Sequence, residues 1–259
     1  MRRREFLSAA AGISLAMPLD AAVPKGSIIE LRRYQLRNNN DQMMQRTSEF
    51  IEKFALPAAQ RAGIGPNGVF TTLIGPQMPA VWLLYSYPSL AAMEAAQAKT
   101  SEDKEFQQAL EAYYAKPGIA YERVEATLFR AIDGMPKVEP PPIEKDKPAR
   151  IFELRVYESN YPSTLRRKVK MFEDGELAIF RRVGMWPVFF GAALAGSNIP
   201  NLTYMLGYDS LAHREQVWRA FSQDAEWKKL RVQPGLSDAE IVSNISGTML
   251  RPMPFSQIR

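Results

Sequence analysis

Apolar and polar positions alternate with period two in two widely separated stretches, residues 28–36 and 151–158. Such alternation marks a strand whose two faces meet different surroundings. In the first stretch Ile28, Glu30, Arg32 and Tyr34 share one face, and Ile29 and Leu31 share the other. In the second, Glu153, Arg155 and Tyr157 oppose Phe152, Leu154 and Val156. After each stretch the spacing turns helical, over 41–62 and 164–182, with Phe50, Ile51, Phe54 and Ala58 along one side of the first helix. Pro57 predicts a kink there. Its counterpart Leu177-Ala178-Ile179-Phe180 has no proline, and Gly175 in mid-helix predicts a break or a close backbone approach. Gly63 and Gly184 stand where helix C-caps belong. Each half continues with two strands, 69–74 with 80–87 and 188–195 with 202–208. A helical region follows, capped by Ser89 or by Asp209-Ser210. A last strand closes each half, 124–131 and 241–250.

The order is thus β-α-β-β-α-β, twice, and the residues repeat as well. Glu30-Leu31-Arg32-x-Tyr34 matches Glu153-Leu154-Arg155-x-Tyr157, 123 positions on. Four further matches recur 121 positions on. They are Arg61-x-Gly63 with Arg182-x-Gly184, and Tyr87-x-Ser89-Leu90-Ala91 with Tyr208-x-Ser210-Leu211-Ala212. Asp103-x-Glu105-Phe106 with Asp224-x-Glu226-Trp227 and Thr127 to Arg130 with Thr248 to Arg251 complete the set. Collinear matches at near-constant offset establish a tandem duplication. The predicted fold class is α+β, with tandem ferredoxin-like βαββαβ domains forming a pseudo-dimeric α/β barrel. The domains are 27–135 and 150–259, joined by a proline-rich linker over 136–149.

Residues 1–22 fall outside this pattern. Arg2-Arg3-Arg4, a short apolar stretch from Ser8 to Met17 and the small residues Ala21-Ala22 follow the plan of a signal peptide. Arg3-Arg4-x-Phe6-Leu7 resembles the twin-arginine export motif, which implies a periplasmic location with cleavage near Ala21 or Ala22. The apolar stretch is too short to span a membrane. The 259 residues contain no Cys and one His, which excludes disulfides, thiolate zinc sites, iron–sulfur ligation and multi-His zinc sites. The net charge of +5 is spread along the chain and points to no nucleic-acid partner.

The clean apolar face of the second strand is expected to meet the helices. That places Glu30, Arg32, Tyr34, Glu153, Arg155 and Tyr157 inside the barrel as candidate ligand-binding residues. Two readings stand side by side. Glu and Arg two apart can pair into a structural network, or an arginine can grip an anion in a polar pocket. The run Lys168, Lys170, Glu173, Asp174, Glu176 reads either as a solvated helix face or as paired carboxylates for a cation or acid–base work. His213, at a helix start, reads as a surface or capping residue, with haem ligation the alternative. Trp218, Phe221 and Trp227 read as packing aromatics. No phosphate-binding loop, dinucleotide fingerprint or nucleophile elbow is present.

The Glu-Leu-Arg-x-Tyr strand, the turn from Arg61 through Ile64-Gly65-Pro66 to Phe70, and the Tyr208-Asp209-Ser210-Leu211-Ala212 helix start together resemble the NIPSNAP family in its exported bacterial two-domain form. Asp224-x-Glu226-Trp227 and the closing residues from Asn244 to Arg259 agree with it. Phe106 in place of Trp227, and Ser86 in place of Gly207, are departures in the first copy. The resemblance implies a dimeric α/β-barrel fold and no particular reaction. The expected function is binding of a small polar or amphipathic ligand inside the barrel, with no cofactor and no membrane span in the mature chain. The alternatives are a cofactor-independent oxygenase, isomerase or lyase using Glu, Arg and Tyr, and a protein–protein scaffold. The pseudo-dimer is intramolecular, and further homo-oligomerisation is open.

Overall fold

A computed structural model describes residues 25–38, 42–76, 78–144 and 146–259. The signal-peptide and cleavage readings, and Asp41 at the predicted helix start, lie outside the described residues. The first half runs β1 (Ile28–Gln35), α1 (Met43–Phe50), the π-helical turn π1 (Ile51–Ala55), α2 (Leu56–Arg61), β2 (Gly68–Ile74), β3 (Ala80–Tyr87), α3 (Leu90–Glu102), α4 (Lys104–Ala115) and β4 (Arg123–Ala131). The second runs β5 (Ile151–Glu158), α5 (Pro162–Met171), π2 (Phe172–Glu176), α6 (Leu177–Arg182), β6 (Trp186–Ala195), β7 (Asn201–Tyr208), α7 (Leu211–Gln223), α8 (Ala225–Leu230), α9 (Asp238–Ile241) and β8 (Asn244–Pro252). The last strand begins later than its pattern suggested, because Asp238–Ile241 closes into a helical turn behind a Ser237–Glu240 capping box.

The eight strands form one closed barrel in the order β1-β3-β2-β8-β5-β7-β6-β4. Within each half the sheet is antiparallel, and β2–β8 and β4–β6 stitch the halves together. Closure leaves no exposed edge. The repeated motifs that carry no chemistry have structural work. Arg61 pairs with Asp103, and Arg182 with Asp224, at 2.7 Å each. The same aspartates cap α4 and α8 through the backbone N–H groups of Phe106 and Trp227. Ser89 and Ser210 cap α3 and α7 as expected. Gly63 and Gly184 adopt φ of +83° and +95° and end their helices. The N–H groups of Ile64 and Met185 reach back to the carbonyls of Ala59 and Phe180.

Both first helices carry a π turn at equivalent positions, one followed by Pro57 and one with Gly175 inside it. Proline is therefore not its cause, since π2 forms without one. Among the described residues no helix is long and apolar enough to cross a membrane.

Candidate functional site

The strand faces are the reverse of the expected arrangement. The barrel interior is packed with Ile29, Leu31, Phe70, Leu84, Phe129, Phe152, Leu154, Val188, Phe189, Met205 and Leu250. Glu30, Arg32 and Tyr34, and likewise Glu153, Arg155 and Tyr157, point outward into the layer between sheet and helices. Ile28 and Tyr34, on that face, pack with Met43, Ile51, Leu56 and Ala59 of the helices. The physical reason is space and partners. An eight-stranded barrel is just wide enough to be filled by side chains, and a charge there would lack solvation. The sheet–helix layer offers arginines, tyrosine hydroxyls and openings to water.

The two copies use that layer differently. In the second half Glu153, 3% exposed, accepts from Arg214 through Nε and Nη2 at 2.8 and 2.7 Å, from Arg155 at 2.8 Å and from the Tyr208 hydroxyl at 3.1 Å. Each nitrogen of Arg155 has a partner, with its Nη1 donating to Glu153, its Nε to Tyr204 at 2.9 Å and Nη2 to Tyr157 at 3.0 Å. Phe180, Trp218, Phe221 and Trp227 fill the remaining volume, with neighbouring ring centroids 4.5–5.7 Å apart. Here the structural-network reading holds, and the packing role of these aromatics holds with it.

In the first half the same layer is hollow. Each filling residue has a smaller counterpart 121 positions earlier. Ala55 stands for Glu176, Ala59 for Phe180, Gln97 for Trp218, Thr100 for Phe221, Phe106 for Trp227 and Leu83 for Tyr204. The result is a pocket of two lobes, about 240 and 230 Å³, that share Arg32, Ala55, Tyr85 and Phe106 as lining. One lobe is walled by Tyr34, Phe50, Tyr113, Tyr114 and Tyr121, and the other reaches Gln97, Thr100 and Gln107. Arg32 has one hydrogen-bonding acceptor among the described residues, Glu30, at 2.5 Å from Nε. Leu83 offers no hydroxyl where Tyr204 does, and the Nη groups of Arg32 face the pocket with the Tyr34 hydroxyl beside them. Glu30 is itself taken up, by Arg32 and by the Tyr87 hydroxyl at 2.9 Å.

Electrostatics follow from the same contacts. Burial pushes Tyr34 and Tyr85 above the usual phenol range, against the pull of Arg32, so both are neutral donors at physiological pH. Arg32 stays charged: burial works against its charge, but Glu30 outweighs it. For Glu153, burial raises the carboxyl and Arg214 and Arg155 lower it more, leaving it below the ordinary carboxylate range. The first-half pocket is therefore a cation set in an aromatic wall. It can bind and orient an apolar molecule bearing an anion or a polarised carbonyl. No free carboxylate among these six residues stands ready as a general base.

The acidic and basic run on α5 and π2 divides in two. Lys170–Asp174 and Glu173 are exposed, as a solvated face requires, and Glu173 accepts from the Gly134 N–H. Lys168 and Glu176 contradict that reading: they are 1% and 2% exposed and pair at 3.2 Å. The π turn swings Glu176 toward the sheet, away from Glu173, so the two carboxylates do not converge. Burial pushes Glu176 up to about 7, against the pull of Lys168. His213 sits at the start of α7, where its Nδ1 accepts from the Asp209 N–H, the capping role expected of it. Among the described residues no three His, Asp or Glu side chains could hold a metal ion.

Sequence reasoning named Arg32 and Tyr34 but missed Phe50, Ala55, Ala59, Tyr85, Gln97, Thr100, Phe106 and Tyr113. The signal was available. Laying one copy over the other shows a smaller residue at each filling position, with Ala59, Gln97 and Thr100 standing against Phe180, Trp218 and Phe221.

The NIPSNAP family model matches the chain twice, over residues 29–130 and 152–257. No curated protein matches it. Among solved structures, a Fusobacterium nucleatum protein provisionally described as a monooxygenase is similar over 89% of this chain and 94% of its own, at 10% identity and a TM-score of 0.60. An anthrone oxidase-like protein is similar over 88% and 91%, at 12% identity and 0.50. A NIPSNAP family protein from Agrobacterium tumefaciens is similar over 42% of this chain and 99% of its own, at 22% identity and 0.38.

Proposed function

The chain belongs to the NIPSNAP family, carrying the domain twice, and from that premise we propose that its first half binds a small amphipathic molecule between sheet and helices. The molecule has a flat apolar body and one anionic or carbonyl group. Arg32 receives the polar group and the wall of Phe50, Phe106, Tyr85 and Tyr113 receives the body. The second half is the braced copy that holds the barrel in shape. The observation that carries this reading is the cavity that the Nη side of Arg32 faces and that its counterpart Arg155 lacks.

Titration calorimetry with 2-naphthoate tests it. A charge-assisted pair contributes about 1.5–3 kcal/mol, so Arg32→Met should weaken binding by about 10- to 100-fold. Arg155→Met should leave binding unchanged. Equal affinity in wild type and Arg32→Met would defeat the proposal.

A second reading, oxidation of a bound aromatic, is favoured by the fold relatives described as a monooxygenase and as anthrone oxidase-like. Oxygen uptake in the presence of anthrone, abolished by Arg32→Met, would support it; no uptake would leave binding alone. We further propose export through the twin-arginine-like segment, supported by residues 1–22. N-terminal sequencing of periplasmic protein should begin near Val23, and an intact Met1 would contradict it.

A further inference from the structure

The barrel interior is apolar over most of its length and changes character at one end. Along β1 the inward positions run Ile29, Leu31, Arg33, and along β8, read backwards, Leu250, Thr248, Ser246. The end where β4 and β8 begin is therefore polar. There the two copies again differ. The first contributes a large charged set: Arg33, 8% exposed, pairs with Glu125 at 2.7 Å and lies over the Trp82 ring at 5.6 Å. The indole Nε1 of Trp82 donates to Thr72 at 2.9 Å. The matching positions in the second copy are Val156, Ser246 and Thr203. Small residues facing large ones leave a cup of about 230 Å³ at the barrel mouth, shared by both halves and floored by Leu31, Leu154 and Phe129.

The lining states what the cup would hold. Its charged side chains, Arg33 and Glu125, are already paired with each other, so a charged ligand would find no counter-ion. Thr127, Thr248 and Ser246 border the cup, and among the described residues their hydroxyls have no hydrogen-bond partner. Asn198 and Asn201 also border the cup, but the Asn201 amide is taken up by the Ser197 and Asn198 carbonyls and the Thr203 hydroxyl, and the Asn198 amide donates to Glu158. The β6–β7 loop is held close: Gly196, at φ +136°, leaves a would-be Cβ only 2.6 Å from the Thr127 side chain. Any residue but glycine there would push the loop off the mouth. The volume is below the roughly 300–1,000 Å³ of drug-sized sites.

We infer that the barrel mouth is a second binding site, separate from the Arg32 pocket, for a small neutral polyhydroxylated molecule of pentose or cyclitol size. The unpaired hydroxyls of Thr127 from the first half and of Ser246 and Thr248 from the second hydrogen-bond it, and the Arg33–Trp82–Glu125 wall fixes its orientation.

Saturation-transfer NMR on the full chain with D-xylose and myo-inositol is the test. Wild type should transfer saturation to the ring protons of at least one of them. Thr203→Trp, which copies Trp82 into the opposite wall, should fill the cup and remove the signal. If that variant does not fold, Ser246→Glu, which copies Glu125 at an exposed position, should reduce affinity by about tenfold. Binding of 2-naphthoate to either variant should match wild type, and Ala59→Phe should leave the sugar signal intact, so the two sites fail independently. No transfer to either probe in wild type, or equal transfer in wild type and the filled variant, would overturn the assignment.

Discussion

Glu153→Gln is the perturbation that most clearly separates the braced copy from the open one. The carboxylate is buried and holds two arginines whose side chains are 16% and 29% exposed. Replacing it with an amide leaves both cations facing each other without an anion. Removing one partner of a buried pair costs about 3–5 kcal/mol, and the partial exposure of Arg214 places this case near the lower end, about 3 kcal/mol. With a urea slope of about 3 kcal/mol/M, the unfolding midpoint should fall by about 1 M. Glu30→Gln is the matched control. It frees one arginine, 32% exposed and already facing an open pocket, so screening limits the loss to about 1 kcal/mol. The pH dependence has a definite sign. A carboxyl held below its unfolded value of 4.5 contributes stability above that value and loses it as pH falls through the folded value. The gap between wild type and Glu153→Gln should be full at neutral pH and close in acid. Urea titrations of wild type and both variants at pH 7 and at successive steps below pH 4.5 measure all of this. Equal midpoint shifts for Glu153→Gln and Glu30→Gln would refute the asymmetry on which the site assignment rests.

Ala59→Phe should abolish 2-naphthoate binding while changing stability by less than about 1 kcal/mol, because burying a ring gains about as much as tightening a partly filled layer costs. Calorimetry and urea midpoints on the same sample check it. The raised carboxyl of Glu176 gives the opposite pH sign to that of Glu153. Its contribution is full below 4.5 and lost as pH rises through about 7, a change of up to about 3 kcal/mol. Wild-type stability should therefore decline from pH 5 to pH 8, and Glu176→Gln should flatten that slope. Gly196→Ala should strain the β6–β7 loop and drive it off Thr127, lowering the melting temperature and weakening D-xylose binding together.

The duplication, the strand order and the caps were legible because each rests on local chemistry repeated twice. Ser89 and Ser210 cap because they precede helices, and Gly63 and Gly184 end helices because only glycine takes that φ at no cost. The direction of the Glu-x-Arg-x-Tyr face was not legible. Period two says that two faces differ, and in a closed barrel covered by helices both faces are buried. Which one takes charge depends on partners such as Arg214 and Tyr208, which come from elsewhere in the chain. The burial of Lys168 with Glu176 was hidden for a similar reason. A regular helix places Glu173 and Glu176 on one side, and the π turn rotates the second away. The pocket lay in plain view in the repeat itself, as Ala59 against Phe180 and Thr100 against Phe221.

A crystal structure of the chain soaked with 2-naphthoate tests the central claim most directly. The ring should lie between β1–β3 and the helices of the first half, with its carboxylate on the Nη groups of Arg32 and none beside Arg155. A naphthoate bound beside Arg155, or a first-half layer still empty at saturating ligand, would contradict the account.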